Sequence, residues 1–321
     1  MDATGAGDII NPVAISSYFQ AMLPNHLVFA ASGAAVVDFD ALAQSGGDTI
    51  TVKRFAEDTT ADEINGGVTS TAGALTSVSD IGVVCHRKRV RGVDDVVKAL
   101  LGTGDADAVN REIARQNTNY WTAKSEKAMV SVLKGLFDDT TGILKDTHRN
   151  KTAAAASFDD IVDTMSLLGD NMEDLRLMIA HSKAWADLLK ETGGKANYLP
   201  IGPGGELAPT YMGRRVLLTE QYGVTVSDHY PIFLCRPASL FFAYQRQMQI
   251  YYQLNALVPT EIITSTLDFV PHVYGTKWGG TPANAGGPTN TELEVAASWT
   301  KANSAQDKEI GIVQLLCVPG A

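Results

Sequence analysis

Few residues of this chain stand at the spacings that chemistry requires. His181-Ser182 sets a base beside a hydroxyl, but an activated nucleophile needs a base within reach and a third group to orient it. Ser182 opens the periodic segment KAWADLLK and reads instead as a helix N-cap. Glu57-Asp58 and Asp62-Glu63 could gather a cation, yet they lack the alternating DxDxDG ligands of a calcium loop. His26, His86, His148, His181, His229 and His272 stand singly, with no metal-ligand spacing. HExxH, GxSxG and the P-loop pattern are absent. Gly102-Thr103-Gly104-Asp105 has no lysine to reach a phosphate, and Ile201-Gly202-Pro203-Gly204-Gly205 is turn chemistry. Asn150-Lys151-Thr152 matches a glycosylation acceptor by chance. The expectation is no catalytic, cofactor-binding or metal-binding residue, and no enzyme.

One charged constellation remains, His86-Arg87-Lys88-Arg89-Val90-Arg91. It could be a basic patch for nucleic acid, or a strand whose charges meet acidic surface such as Glu57, Asp58, Asp62 and Glu63 of another copy. A formal net charge of -10 over 321 residues weights the second reading. The same acidity argues against tight non-specific nucleic-acid binding, which needs basic surface for phosphates. Cys85, Cys235 and Cys317 lie far apart and read as reduced thiols. Asp2 and Asp8 stand where a secretory signal would be basic. No apolar run approaches the ~18 residues of a membrane span.

The element that organises the chain runs from Asp105 to Phe137. Val109, Ile113, Tyr120, Trp121, Ala128, Val132, Leu133, Leu136 and Phe137 recur at helical spacing, and no Pro interrupts them. Such a helix is roughly 45 Å long, more than a compact core needs. Arg115, Gln116, Asn117, Asn119, Lys124, Glu126 and Lys127 make its middle polar, so it is expected to lie on the surface as a spine.

Before it, residues 1–45 read as an arm, with a short helix at Ser16–Leu23 ended by Pro24. Two alternating runs, Thr49–Ala56 and Ile81–Arg91, flank some twenty residues rich in Thr, Ser, Gly and acid. They predict a long two-stranded hairpin. A two-stranded hairpin is marginal alone, and no spare sheet is evident for it, so a neighbouring subunit is the expected support. After the spine, Lys151–Ala156 reads as a linker and Ser157-Phe158-Asp159-Asp160 opens a capped helix. A buried strand at Leu175–Ala180 and the helix after Ser182 follow. A strand pair is expected around Tyr211–Leu218 and Pro231–Cys235, making a mixed α/β unit. Ile262–Tyr274 is a long strand, Gly279–Thr291 a flexible loop, and Glu309–Val318 a closing strand.

This order of parts resembles the major capsid proteins of tailed double-stranded DNA bacteriophages, over nearly the whole chain. GDTITVKRF, DDVVKALLGTGD, Asn119-Tyr120-Trp121, Leu133–Phe137, MIAHSKAWADLLK and Pro271–Trp278 carry the likeness through their joint order. The resemblance implies an α+β shell fold with a long spine helix, an extended β-hairpin loop, a peripheral domain with long antiparallel strands and a mixed α/β axial domain. Residues 1–45 would be the N-terminal arm and 46–92 the extended loop. Residues 93–151 and 259–321, with the spine at 105–137, would form the peripheral domain, and 152–258 the axial domain.

It further implies self-assembly through hexamers and pentamers into an icosahedral head in the host cytoplasm. The head would enclose double-stranded DNA without sequence-specific binding and without membrane, helped by portal and scaffolding proteins. The short arm after Met1 suggests a separate scaffolding protein or none. A cargo-holding nanocompartment of the same fold, or another virion structural protein, would share these features. The candidate inter-subunit contacts are Lys53, Arg54, Glu57, Asp58, Asp62, Glu63, Arg87, Lys88, Arg89 and Arg91.

Overall fold

The computed structural model describes residues 12–26, 29–30, 33–40, 47–55, 77–93, 106–192, 197–201, 206–219, 229–244, 248–255, 260–303 and 307–318. Helix α1 (Pro12–His26) is followed by β1 (Ala35–Asp38), the hairpin strands β2 (Thr49–Phe55) and β3 (Ser77–Val83), and β4 (Cys85–Val93). The long helix α2 (Ala106–Leu136) and β5 (Arg149–Lys151) come next. Then follow α3 (Phe158–Ser166), β6 (Leu177–Ala180), α4 (Ser182–Thr192), β7 (Asn197–Ile201), β8 (Glu206–Tyr211), β9 (Arg214–Leu218) and β10 (Tyr230–Cys235). The chain continues through β11 (Leu240–Tyr244), β12 (Gln249–Asn255), β13 (Thr260–Val273) and β14 (Thr276–Trp278). It closes with α5 (Asn290–Leu293), β15 (Trp299–Lys301) and β16 (Ile312–Cys317).

Strand β13 is the rail of a five-stranded sheet in which β4 lies along one edge and β11 and β12 along the other, with β1 beyond β11. Alternation sorts its residues: Ile263, Ser265, Leu267 and Phe269 are buried, while Ile262, Thr264, Thr266 and Asp268 are only half covered. Helix α2 lies on the buried face, joined to it in one core through Trp121, Met129 and Leu133. It matches the expected spine, but the surface position holds for its first half only. Arg115, Gln116, Asn119, Lys124 and Lys127 are exposed, whereas Asn117 and Glu126 are buried and everything from Ala128 to Leu133 is enclosed. The reason is the C-terminal chain, which wraps the far end. A Cβ at Gly135 would sit 2.4 Å from the Leu293 carbonyl oxygen, which itself accepts the Trp299 indole N–H at 2.9 Å. Glycine is therefore the residue that lets helix and wrap meet.

The arm is better packed than its composition suggests. Ile15, Phe19 and Leu23, spaced four apart, are fully buried in the core with α2, and β1 pairs in parallel with β11. Helix α1 does not stop at Pro24 but reaches His26. Pro24 falls in the final turn, where the missing N–H forfeits a single bond.

The hairpin register runs from Thr49↔Val83 to Phe55↔Ser77, and its expected tip at 56–76 lies outside the described residues. Two expectations fail here. The run Ile81–Arg91 is not one strand: it breaks at Val84, and β4 leaves for β13. The hairpin also has a sheet at home, because β3 pairs in parallel with β14 in the order β15-β14-β3-β2. Buried Asp80 fastens the join by accepting the Gly275 N–H at 2.8 Å.

Under that join lies His272. It is buried beneath Gly82, whose added Cβ would stand 3.4 Å from the ring, and neither ring nitrogen has a hydrogen-bond partner among the described residues. Burial pushes its pKa down to about 4, from 6.5. The unfolded chain therefore binds the proton more readily, so stability is held at neutral pH and lost as pH falls from about 6.5 towards 4. That loss is about 3 kcal/mol for one fully buried ring. Burial lowers the His148 pKa in the same direction. Comparing unfolding free energies at pH 7 and pH 4 should show a smaller loss, by about 3 kcal/mol, in His272→Phe than in the parent. Equal losses would show that His272 is not the responsible group.

The remaining strands form a seven-stranded sheet, β5-β16-β10-β6-β9-β8-β7. Its core gathers Ile161, Met165, Trp185, Tyr211, Ile232 and Leu315. The strands at Tyr211–Leu218 and Pro231–Cys235 are not paired with each other, since β6 lies between β9 and β10. Tyr211 instead ends one arm of a hairpin whose turn residues, Met212 and Gly213, have φ of 52° and 76°, as a two-residue turn of the primed type requires. The α3 cap is as expected, with Ser157 and Asp160 in a reciprocal box. At α4 the capping acceptor is His181 Nδ1, which takes the Lys183 N–H at 3.2 Å, and Ser182 is already helical.

The expected linker after Lys151 is bonded strand edge: the Thr152 N–H donates to Leu316 and the Val318 N–H to Ala154. The loop at Gly279–Thr291 is pinned by the His86 N–H on the Gly286 carbonyl and ends in the Thr289 cap of α5. Several strand placements cross the expected segments: β4, within 46–92 but for Val93, joins the sheet of β13, and β5, within 93–151, pairs with β16. Residues 240–244 and 249–255, within 152–258, belong to the sheet of β13, and residues 312–317, within 259–321, belong to the sheet of β10.

Candidate assembly surface

Strand alternation divides the basic run between two faces. Arg87, Arg89 and Arg91 stand opposite Leu267, Ser265 and Ile263, on the face covered by α2. Lys88 and Val90 stand opposite Thr266 and Thr264, on the other face, and both are exposed.

On the helix side, each arginine is used within the chain. Arg87 Nη2 donates to the Pro288 carbonyl at 2.6 Å and to Asn290 Oδ1 at 3.4 Å, tying β4 to the loop before α5. The Arg89 guanidinium lies 3.8 Å from the centre of the Tyr120 ring, and the Lys124 ammonium is 5.4 Å from the same ring. Partial burial, then the neighbouring Arg91, lowers the Arg89 pKa. Arg91 Nη1 donates to Gln116 Oε1 at 3.0 Å, and Gln116 Nε2 donates to Glu112 Oε1 at 2.9 Å. Arg115 grips the same carboxylate with two bonds of 2.7 and 2.8 Å, and this fork, with Gln116, holds the Glu112 pKa down to about 2.

Glu112, Gln116, Tyr120 and Lys124 thus recur every four residues along the helix edge that meets β4. Sequence reasoning missed them as partners, although their spacing marks one helix edge.

On the other face, His86 Nδ1 sits 2.9 Å from the Asp268 carboxylate and Tyr251 Oη donates to Gln249 Oε1 at 2.6 Å. Lys53 is exposed on β2, and Phe55, at the end of the described strand, is 76% exposed. Arg54 lies in β2, though its side chain is outside the described residues, as are Glu57, Asp58, Asp62 and Glu63. The arrangement joins Arg87, Arg89 and Arg91 to helix and loop and leaves Lys53 and Lys88 at the surface.

The groups that could do chemistry are otherwise occupied. The His181 ring caps α4 and packs on Tyr230, 4.5 Å between centroids. Burial pushes the thiols of Cys85, Cys235 and Cys317 up to about 12, so they stay protonated at neutral pH. Among the described residues no cluster of His, Cys, Asp and Glu could hold a metal ion, and no helix is long and apolar enough to cross a membrane.

Residues 105–313 match the Gp13-like family, described as major capsid protein 13-like. The chain belongs to that family. The match begins at the spine helix and ends within β16, so it takes in the spine, most of both large sheets and the loop that receives Arg87. No curated protein matches the chain by sequence.

Among solved structures, the head of Helicobacter pylori bacteriophage KHP40 is similar with a TM-score of 0.57 at 8% identity, covering 89% of this chain and 87% of that one. The capsid asymmetric unit of cyanophage Pam1 gives 0.55 at 12% identity, with 92% and 93% covered. The capsid of a native GTA particle gives 0.54 at 12%, with 91% and 90% covered. At such identities the likeness speaks for the fold, which is the α+β capsid fold anticipated from the order of parts. The protein is a structural, shell-forming component of the virion capsid.

Proposed function

We propose that the chain assembles through hexamers and pentamers into an icosahedral phage head enclosing double-stranded DNA, acting as wall and not as enzyme. The observation that carries this reading is the hairpin. Its stem is anchored at home on β14, yet among the described residues its outer strand β2 has no further strand beyond it, and it ends in a Phe55 that is 76% exposed. An exposed aromatic at the end of an open strand is suited to burial against a second copy. The hairpin of β2 and β3, with the residues between them, acts as the extended loop, and β4 passes into the sheet of β13. The spine with the sheet of β13 forms the peripheral unit, and the seven-stranded sheet, including β16, forms the axial unit. Glu57, Asp58, Asp62 and Glu63 of one copy meet Lys53, Lys88 and neighbouring basic residues of the next. A scaffolding protein and a portal are the expected helpers, and assembly takes place in the host cytoplasm.

Native mass spectrometry of the unassembled pool tests the hexamer and pentamer steps. Masses of six and five chains are expected. A pool of monomers and dimers that closes into shells without them would overturn this route.

A further inference from the structure

The spine and the sheet beneath it make a wall two layers thick, and its two faces differ in charge. On the helix side, Arg111, Arg115, Lys124 and Lys127 line the exposed surface of α2, with Arg89 and Arg91 beside them on β4. Among the described residues, Glu112 is the acidic side chain held between them, and Glu126 is turned inward. On the sheet side, Lys88 stands with Val90, Thr264, Thr266, Gln249 and Tyr251, none of them charged, and His86 faces Asp268. A stripe of cations on a chain of net charge -10 is a local feature that composition hides.

We infer that the helix face is the lumen side of the wall and that this stripe takes the phosphate backbone of the enclosed duplex. The inference rests on the reading of the protein as a DNA-enclosing shell. Charge complementarity selects the occupant: a duplex is a dense row of negative charge, and the exposed helix face offers a cluster of cations, unevenly spaced at 111, 115, 124 and 127, on a rigid rod. From Arg111 to Lys127 the rod advances roughly 24 Å, about seven base-pair steps of a duplex laid along it.

The cations are also held in place. Arg89 is stacked on Tyr120, and Arg91 and Arg115 are joined through Gln116 and Glu112, so their geometry is set before any phosphate arrives. Nothing in this arrangement reads bases, so contact is independent of sequence. The surrounding acidity keeps the grip weak, as suits DNA that must be packed and later released.

The test uses the full-length unassembled protein and a mixed-sequence duplex of about 30 base pairs. Binding should weaken as salt rises from about 50 to 200 mM, with a log–log slope of about -3 to -4. Acetylation of Lys124 and Lys127 should drop several-fold when duplex is present, while Lys88 on the opposite face stays equally reactive. Lys124→Glu/Lys127→Glu changes exposed side chains only. It should weaken duplex binding about tenfold or more and reduce the slope by about 2, while closing shells as the parent does.

Unchanged duplex binding in that variant, or protection of Lys88 in place of Lys124 and Lys127, would overturn the inference. So would a variant that no longer closes shells, since the stripe would then be serving a neighbouring copy. A parent protein that forms no shells would instead fail the underlying reading and leave these binding results to be judged alone.

Discussion

Trp121→Ala is expected to lower the unfolding free energy by about 3–5 kcal/mol. Trp121 is 1% exposed and among the largest fully buried side chains, in the core that joins α1, α2 and the sheet of β13. Its indole N–H has no hydrogen-bond partner among the described residues, so truncation orphans no polar group. The cost is lost apolar burial plus a cavity that rigid neighbours cannot fill. Tyr120, edge-on at 5.1 Å between ring centroids, is held on its other side by Arg89 and cannot swing in without releasing it. Denaturant unfolding of the subunit measures this loss. A change below about 1 kcal/mol would show that the spine is not seated on the core through this residue.

Deleting residues 57–76 is expected to leave a folded subunit that does not close shells. The strands end opposite one another at Phe55↔Ser77, so Ala56 followed by an inserted Asn-Gly can rejoin them as a short three-residue loop. The stem keeps its contact with β14 at Ile81 and the Asp80 bond to Gly275, which lie inside the paired part of the hairpin. What the deletion removes is the acidic stretch with Glu57, Asp58, Asp62 and Glu63. Unchanged melting together with loss of closed particles in sedimentation is the expected pair of results. Closed shells at parental yield would show that this stretch is dispensable for assembly.

These two cases differ in how far the sequence foretold them. The spine at 105–137 is found at Ala106–Leu136 and the long strand at 262–274 is found at Thr260–Val273, because each is a long periodic run with clear ends. The Ser157 cap was legible because its box is local. Pairing was not. Nothing near Val84 announces that β4 leaves the hairpin for a rail some 180 residues on, and β3 meets β14 through the single pair Lys277↔Ile81. The distant strand β16 sits between β5 and β10 for the same reason: a run apolar but for Gln314 says buried without naming its neighbours.

The spine misled in its second half because its polar pattern belongs to the first, while burial near Gly135 comes from a wrap more than 150 residues away. The basic run was visible as charge, but the division of Arg87, Arg89 and Arg91 from Lys88 needs the register that only the fold supplies.

Electron microscopy of the purified protein, read beside its sedimentation profile, tests the central claim most directly. The account predicts closed, uniform shells, or the rings from which they are built, with the spine and hairpin of neighbouring copies resolvable in their walls. A small oligomer of fixed size that persists as concentration rises, with no curved or closed assembly in the images, would contradict it.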